Sequence, residues 1–160
     1  MLSLLEQRLV ESEMELLSDG DLVRWARAAI REDDDIGGEP DIVELASLQF
    51  GNQRLAEARG LLRSAVIRAN PDFDLKAPSA QAHGRAAFLQ FCGRFLTDGL
   101  RPYDLCRLVS PIEQAFDHPA WLGDFYDHCD WCEPESTRSH FAGLVEYVEQ
   151  FVAASSDAKP

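Results

Sequence analysis

The residues whose types and spacing could carry chemistry are concentrated in one short stretch, GDFYDHCDWCEPE, at positions 123–135. It contains a Cys-x-x-Cys pair, one histidine, three aromatic residues and five carboxylates. Three kinds of chemistry fit this composition: a metal site, a redox-active cysteine pair, or an acidic surface that carries aromatic anchors. The remainder of the sequence has to position these groups and thereby decide among the three.

A metal site built on Cys129 and Cys132 lacks the further ligands that it would need. A closed zinc site needs four Cys or His ligands, and a second cysteine pair of this kind is absent from the sequence. His118, His128 and His140 do not have the spacing of a zinc finger. The two cysteines are therefore expected to be small buried side chains on one helical face, without metal, and a metal-binding protein that uses them is kept as an alternative.

A redox role for the same pair is also disfavoured. Reactive pairs stand at the N-terminus of a helix, where the positive helix end lowers the thiol pKa. Here the pair lies at the end of a predicted helix and is flanked by Asp127, Asp130 and Glu133, and neighbouring carboxylates raise a thiol pKa.

The loop at 33–44, DDDIGGEPDIVE, has the acid pattern of a calcium loop at its first, third, ninth and twelfth positions. Its fifth position, however, is Gly37, and Pro40 occupies the place of the usual aliphatic residue. We interpret the loop as a solvated acidic connection between two helices, and we predict no cofactor.

No motif for nucleophilic, phosphate-binding or metallopeptidase chemistry is present in the sequence. The four histidines are scattered, and no acid–base constellation is recognisable among the 28 acidic residues. We therefore predict that the chain is not an enzyme.

The charge is the second informative feature. The 160 residues carry a net charge of −13. Residues 31–44 contain seven acids and one base, and residues 108–137 contain seven acids and no Lys or Arg, so these two segments hold the whole excess. Such a field repels phosphate, which argues against nucleic acid or a membrane surface as partner and favours a basic protein.

Apolar residues recur at helical spacing along the chain, and no segment alternates as a strand does. The sequence predicts an all-α fold, a single-domain compact bundle of about seven or eight helices over residues 1–154, with a frayed tail at 155–160. Predicted helices include one from Leu4 to Leu17, one over 118–132 and one over about 135–153.

The N-terminus lacks the features of a secretory signal, which predicts a cytoplasmic protein. In that compartment the four cysteines are expected to be reduced, and a disulfide is not expected.

On the predicted 118–132 helix, Trp121, Leu122, Phe125, Tyr126 and Cys129 are expected to face inward. Trp131 would then share an outer face with neighbouring carboxylates and act as the exposed anchor. The predicted partner-binding residues are Asp124, Asp127, Asp130, Trp131, Glu133 and Glu135, with Asp33, Asp34 and Asp35 as a second acidic candidate.

Part of the C-terminal third resembles a known class of proteins. The residues that carry the resemblance are LCRLV at 105–109, IE at 112–113, Phe116, PAWLGD at 119–124, Tyr126 and CDWC at 129–132. They are similar to small cytosolic immunity proteins that are encoded beside secreted bacterial toxins of the contact-dependent and type VI kind.

The resemblance implies a non-enzymatic inhibitor that binds a basic toxin domain, often covering its active site, and thereby protects the producing cell. The alternative that the sequence leaves open is a small regulatory or structural subunit of a larger assembly, which could have the same acidity and the same helices.

Overall fold

The structure is a computed structural model that describes residues 1–156, apart from the side chains of Asp34 and Ser156. Every regular element in this range is helical, which confirms the all-α prediction. In chain order the helices are α1 (Leu4–Glu13), α2 (Asp19–Glu32), α3 (Asp34–Gly37), α4 (Pro40–Ser47), α5 (Ala58–Ala69), α6 (Pro78–Thr97), α7 (Pro102–Cys106), α8 (Val109–Phe116), α9 (Phe125–His128) and α10 (Ala142–Ser156). Two 3-10 turns, Gln53–Glu57 and Ala120–Leu122, complete the described elements. Seven of the helices have eight residues or more, in line with the expected number.

The chain divides into two compact units, with the boundary between His83 and Gly84 inside α6. No helix within residues 1–156 combines the length and the apolar composition needed to cross a membrane. The residues predicted as a tail lie partly in α10, which extends to Ser156, and partly at 157–160, outside the described residues.

The first unit is built on helices with strong start signals. Ser18 caps α2: its hydroxyl accepts from the Asp21 N–H at 3.1 Å, and the Asp21 carboxylate accepts from the Ser18 N–H at 2.9 Å. Pro40 occupies the first turn of α4, where its missing N–H costs nothing. The helices α1, α2, α4 and α5 then bury one shared apolar cluster: Leu5, Leu9, Leu22, Val23, Ala26, Ile42, Leu45, Leu48, Ala58, Leu62, Ala65 and Val66.

The second unit is organised around aromatic rings. Phe125, fully buried on α9, packs edge-on against Phe88 at 5.1 Å and against Tyr147 and Phe151 at 4.9 Å between ring centroids. Edge-to-face pairs of this kind each add about 0.5–1.5 kcal/mol beyond their buried area. The ring of Phe125 therefore fixes the short helix α9 against α6 and α10.

Two of the predicted helices are wrong in extent at their ends. The first helix ends at Glu13 and not at Leu17, because Glu15 takes a left-handed conformation (φ 58°) and the Leu16 N–H returns to the Glu11 carbonyl at 3.0 Å. The last helix begins at Ala142 and not near Glu135. In the segment before it, hydroxyl groups bond locally, as when Ser136 accepts from the Glu133 N–H at 2.9 Å, and such bonds compete with helix formation.

The predicted 118–132 helix is also wrong as a single element. The structure has the 3-10 turn Ala120–Leu122, a reversal at Gly123 (φ 59°, ψ −137°) and only four helical residues in α9. Gly123 is the residue type that this backbone conformation demands. The break redirects every side chain that follows it, which changes the predicted outer face.

Candidate functional site

The non-helical segment between α9 and α10, residues 129–141, builds the candidate site, and three contacts hold it in place. At its start, Cys129 forms a disulfide with Cys106 at the end of α7. Further on, the Arg101 guanidinium donates to the Pro134 carbonyl at 3.4 Å. Near its end, the Arg138 guanidinium donates to the Leu100 and Phe95 carbonyls and stacks over the Phe95 ring. The segment is thus tied at several points without being helical.

The disulfide corrects the expectation that all four cysteines are reduced. The Cα atoms of Cys106 and Cys129 lie 5.3 Å apart, within the range that a disulfide requires, and the two residues are 23 positions apart in sequence. The free thiols are Cys92, which is fully buried, and Cys132, which is half-buried. Burial raises the pKa of Cys92 to about 12. The sequence spacing grouped Cys129 with Cys132. In the structure, α7 packs so that Cys106 forms the disulfide with Cys129.

A cleft of about 220 Å³ opens beside this disulfide. The lining combines the disulfide and a free thiol with two aromatic rings, two carboxylates and part of α8. Its members are Cys106, Val109, Ser110, Tyr126, Cys129, Asp130, Trp131, Cys132 and Glu133. The cleft therefore presents aromatic faces and negative charge to whatever enters it.

Trp131 is the most unusual residue of the cleft. Its side chain is 86% exposed, as predicted, and its role as an anchor stays a prediction. Its backbone lies in the left-handed region, with φ 63°, at the third position of a four-residue turn closed by the Cys132 N–H and the Cys129 carbonyl at 3.1 Å. That conformation costs an L-residue about 1–2 kcal/mol, and turns of this shape favour glycine there.

Tyr126 corrects a second expectation. It was predicted to face inward with Phe125, but it is 62% exposed and lines the cleft. Phe125 and Leu122 are buried as predicted, while Trp121 and Cys129 are half-buried. Because α9 has only four residues, the inward face is fully occupied by Phe125, and the next residue turns outward.

The cleft and the adjoining helix α9 with its N-cap carry carboxylates without cationic partners. Within residues 1–156, Asp124, Asp127, Asp130 and Glu133 are exposed, and none of them forms an ion pair. By contrast, Arg101 is bonded to Asp104 at 2.9 Å, and this guanidinium lowers the pKa of Asp104 against the raising effect of burial. Negative charge therefore remains uncompensated on the segment that carries Trp131.

The first acidic segment is compensated in part within its own unit. Arg68 pairs with Glu39 and with Asp41, the latter at 2.8 Å, and Arg54 pairs with Glu44 at 2.6 Å. The comparison favours the C-terminal segment as the charged surface.

The predicted site residues are only partly brought together. Asp130, Trp131 and Glu133 line the cleft, whereas Asp124, Asp127 and Glu135 are exposed but do not line it. In the first unit, the Asp33 carboxylate accepts from the N–H groups of Asp35 and Ile36 at 3.0 and 3.1 Å, so it shapes the start of α3. Asp35 is exposed, and the side chain of Asp34 lies outside the described part of the chain.

The geometry of the described residues does not support the alternative of a metal site. In the part of the chain that the structure describes, no group of three or more His, Cys, Asp or Glu side chains is placed to hold a metal ion. The sulfur of Cys129 is bonded to Cys106, and only a thiolate serves as a metal ligand.

Sequence reasoning missed four residues of the cleft: Cys106, Val109, Ser110 and Tyr126. The pairing of Cys106 with Cys129 had no signal in the sequence, because that pairing depends on how α7 packs. Nothing in the sequence indicates that Val109, Ser110 and Tyr126 line the cleft, because their positions there depend on how α8 and α9 pack.

The fold and the cleft define an all-α protein with a small, acidic, aromatic-lined surface cleft. No protein-family model, curated protein or solved structure matches the chain.

Proposed function

We propose that this chain is an acidic immunity protein that binds and neutralises a basic toxin domain of an interbacterial toxin system. The observation that carries the proposal is Trp131, which is 86% exposed and left-handed at a position where glycine would be less strained. An exposed indole on a strained backbone adds nothing to the core, and large aromatic residues are the preferred anchors of protein interfaces.

Charge supports a basic partner. Asp130 and Glu133 flank Trp131 in the cleft, and Asp124 and Asp127, at the start of and within the preceding helix α9, add unpaired charge. Uncompensated carboxylates attract a cationic surface and accelerate its association, and they repel nucleic acid and anionic lipid. A Lys or Arg side chain of the partner that enters the cleft would meet both the carboxylates and the faces of Trp131 and Tyr126.

The way in which the segment is held supports tight binding. The disulfide at Cys129 and the Arg138 contacts order a stretch that has no helical hydrogen bonds of its own. An anchor that is ordered before binding loses less conformational entropy when the complex forms. In the proposed mechanism the chain covers part of the toxin surface and performs no chemistry.

The proposed location is the cytoplasm of the producing cell. Disulfides in that compartment are mostly transient or redox-sensing. In the cytoplasm the Cys106–Cys129 bond would form under oxidation, and the Arg101 and Arg138 contacts would hold the segment in either redox state.

The test begins with a pull-down of the tagged chain from its source cells at low salt, with elution in steps of rising salt. A candidate partner must be basic, must arrest growth when expressed alone, and must be neutralised by co-expression of this chain. Neutralisation should fail with Trp131→Gly and persist with Glu15→Gly, a matched variant that replaces another exposed left-handed residue, with φ 58°.

Other outcomes argue against the proposal. If the chain co-purifies with a housekeeping complex whose components are not toxic, it is a subunit of that complex. If Trp131→Gly neutralises the toxin as well as the wild type does, the cleft is not the contact surface.

A further inference from the structure

Three of the four cysteines line the same cleft. Cys106 and Cys129 are bonded to each other, and Cys132, three residues after Cys129, is a free thiol at the edge of the same 220 Å³ space. Cys92 is fully buried on α6 and does not line the cleft. A disulfide and a free thiol thus share a small space that is open to solvent.

The backbone brings Cys132 within bonding reach of Cys129. The Cys132 N–H donates to the Cys129 carbonyl at 3.1 Å, which closes a four-residue turn. The ends of such a turn lie within about 7 Å of each other, and a disulfide spans Cα atoms about 4.4–6.8 Å apart. The left-handed φ of Trp131 is what folds this turn back. Cys129 therefore has two partners in reach, one on α7 and one on its own turn.

We propose that the cleft is a thiol–disulfide exchange site in which Cys132 displaces Cys106 from Cys129. The Cys132 thiolate attacks Sγ of Cys129, a Cys129–Cys132 bond forms, and the Cys106–Cys129 bond breaks. The bonding electron pair leaves with Cys106, which takes up one proton to balance the one that Cys132 lost. The reaction is an isomerisation and needs no oxidant or reductant.

The groups around the Cys132 thiol determine the rate of the exchange. Burial raises the pKa of Cys132, and a hydrogen bond with Ser136 lowers it only in part. Asp130 and Glu133 add negative charge in the cleft beside Tyr126, while α7 and α8 contribute Cys106, Val109 and Ser110, none of which is charged. Since the thiolate is the attacking species, exchange should be faster at mildly alkaline pH.

Exchange would change how the Trp131 turn is attached. In the pairing seen here the turn is bonded to the end of α7, and after exchange it is closed on itself and released from α7. Trp131 lies inside the new ring, so its surroundings change with the pairing. Only the consequence for partner binding rests on the proposed function, because the exchange itself requires no partner.

Peptide mapping tests the exchange directly. There is no Lys or Arg between Arg107 and Arg138, and Pro102 blocks cleavage after Arg101, so trypsin leaves Cys106 in peptide 95–107 and both other cysteines of the cleft in peptide 108–138. The full-length protein is incubated without redox reagents at mildly alkaline pH, quenched in acid, then denatured, alkylated and digested.

The pairing seen here yields a cross-linked pair of peptides with Cys132 alkylated. The exchanged pairing yields peptide 95–107 alkylated at Cys106, together with peptide 108–138 carrying an internal disulfide. We expect both sets in the wild type and complete loss of the second set in Cys132→Ser. Cross-linked peptides alone in the wild type, or no disulfide at all, would overturn the proposal.

Acrylamide quenching of tryptophan fluorescence tests the effect on the turn. Cys132→Ser retains only the pairing with α7, and Cys106→Ser retains only the pairing within the turn. Their quenching should differ, and the difference should disappear when both variants also carry Trp131→Phe. Equal quenching of the two variants would overturn the coupling of exchange to Trp131. Neither measurement uses a toxin, so failure here is separate from failure of the proposed function.

Discussion

The phenol oxygen of Tyr147 on α10 accepts a hydrogen bond from the backbone N–H of Asp124 at 2.9 Å. The bond closes the reversal at Gly123, and a Cβ added to Gly123 would lie 2.5 Å from the same oxygen. The Tyr147 ring also packs edge-on against Phe125 and stacks on His128. One side chain therefore positions both ends of α9, the helix that leads into the cleft.

Gly123→Ala is expected to lower the free energy of unfolding by about 1–3 kcal/mol, because it combines backbone strain at φ 59° with a steric clash. In a Tyr147→Phe background the clash is gone and the loss should be smaller. Urea unfolding of the four proteins in this double-mutant cycle measures the difference. An identical loss in both backgrounds would show that the close approach to Tyr147 is unimportant.

Trp131→Gly is expected to separate stability from binding. Glycine removes the left-handed penalty but adds chain entropy to the unfolded state, so the free energy of unfolding should stay the same or rise by up to about 1 kcal/mol. Binding of the basic partner should fall by at least about tenfold, as for an interface anchor. Chemical unfolding and titration calorimetry on the same sample measure both. A clear loss of stability would mean that the indole supports the fold.

Charge reversal should distinguish the two acidic segments. Asp130→Lys and Glu133→Lys, in the cleft, are expected to weaken binding most, and Asp124→Lys and Asp127→Lys less. The losses should shrink as salt rises, since exposed charges are screened beyond about 10 Å at 0.1 M salt. Association rates measured across a salt series give the comparison.

Asp35→Lys is the matched control for these reversals, because it makes the same charge change at an exposed carboxylate of the first unit. It should leave binding nearly unchanged. If it weakens binding as much as Glu133→Lys does, net charge alone accounts for the effect and the cleft has no special role.

Reduction of the disulfide is expected to lower the free energy of unfolding of the second unit by about 3 kcal/mol, because the bond closes a loop across a separation of 23 residues. Unfolding with and without dithiothreitol measures this. A double variant, Cys106→Ser with Cys132→Ser, leaves Cys129 without either partner and should be insensitive to the reductant. Equal stability of the reduced and oxidised wild type would contradict the loop-closure argument.

The Asp104 carboxylate should contribute stability above its unfolded pKa and lose that contribution in acid. Hydrogen bonding from Arg101 lowers its pKa below the ordinary value of 3.8, so the folded state favours the carboxylate. A lowered folded pKa gives stability that is present above the unfolded value and is lost as pH falls through the folded value. Asp104→Asn should therefore be less stable than the wild type near neutral pH, by under about 1 kcal/mol for this partly exposed pair.

The stability difference between Asp104→Asn and the wild type should shrink below pH 3.8, because the wild-type carboxyl becomes protonated there and loses its charge. Urea unfolding of both proteins at neutral and acid pH checks the trend. A gap that widens in acid would mean that the carboxylate is not stabilised by Arg101.

Features that depend on neighbours in sequence were predictable. Helical spacing of apolar residues indicated the all-α class, and local residues account for the helix starts at Ser18 and Pro40. These signals are local because helix hydrogen bonds and caps join residues within one or two turns of each other. Trp131 is exposed as predicted, although the continuous helix on which that prediction was based does not form.

Features that depend on which surfaces meet were decided by the tertiary structure. Packing of α7 beside α9 gave Cys129 a partner in Cys106, and Arg68, on a helix far along the chain, formed ion pairs with Glu39 and Asp41. The reversal at Gly123 turned Tyr126 outward, where a continuous helix would have turned it inward. The sequence alone therefore determined the fold class and the acidity. Long-range packing determined the disulfide, the unpaired charge and the cleft, because sequence spacing does not specify which helix faces come into contact.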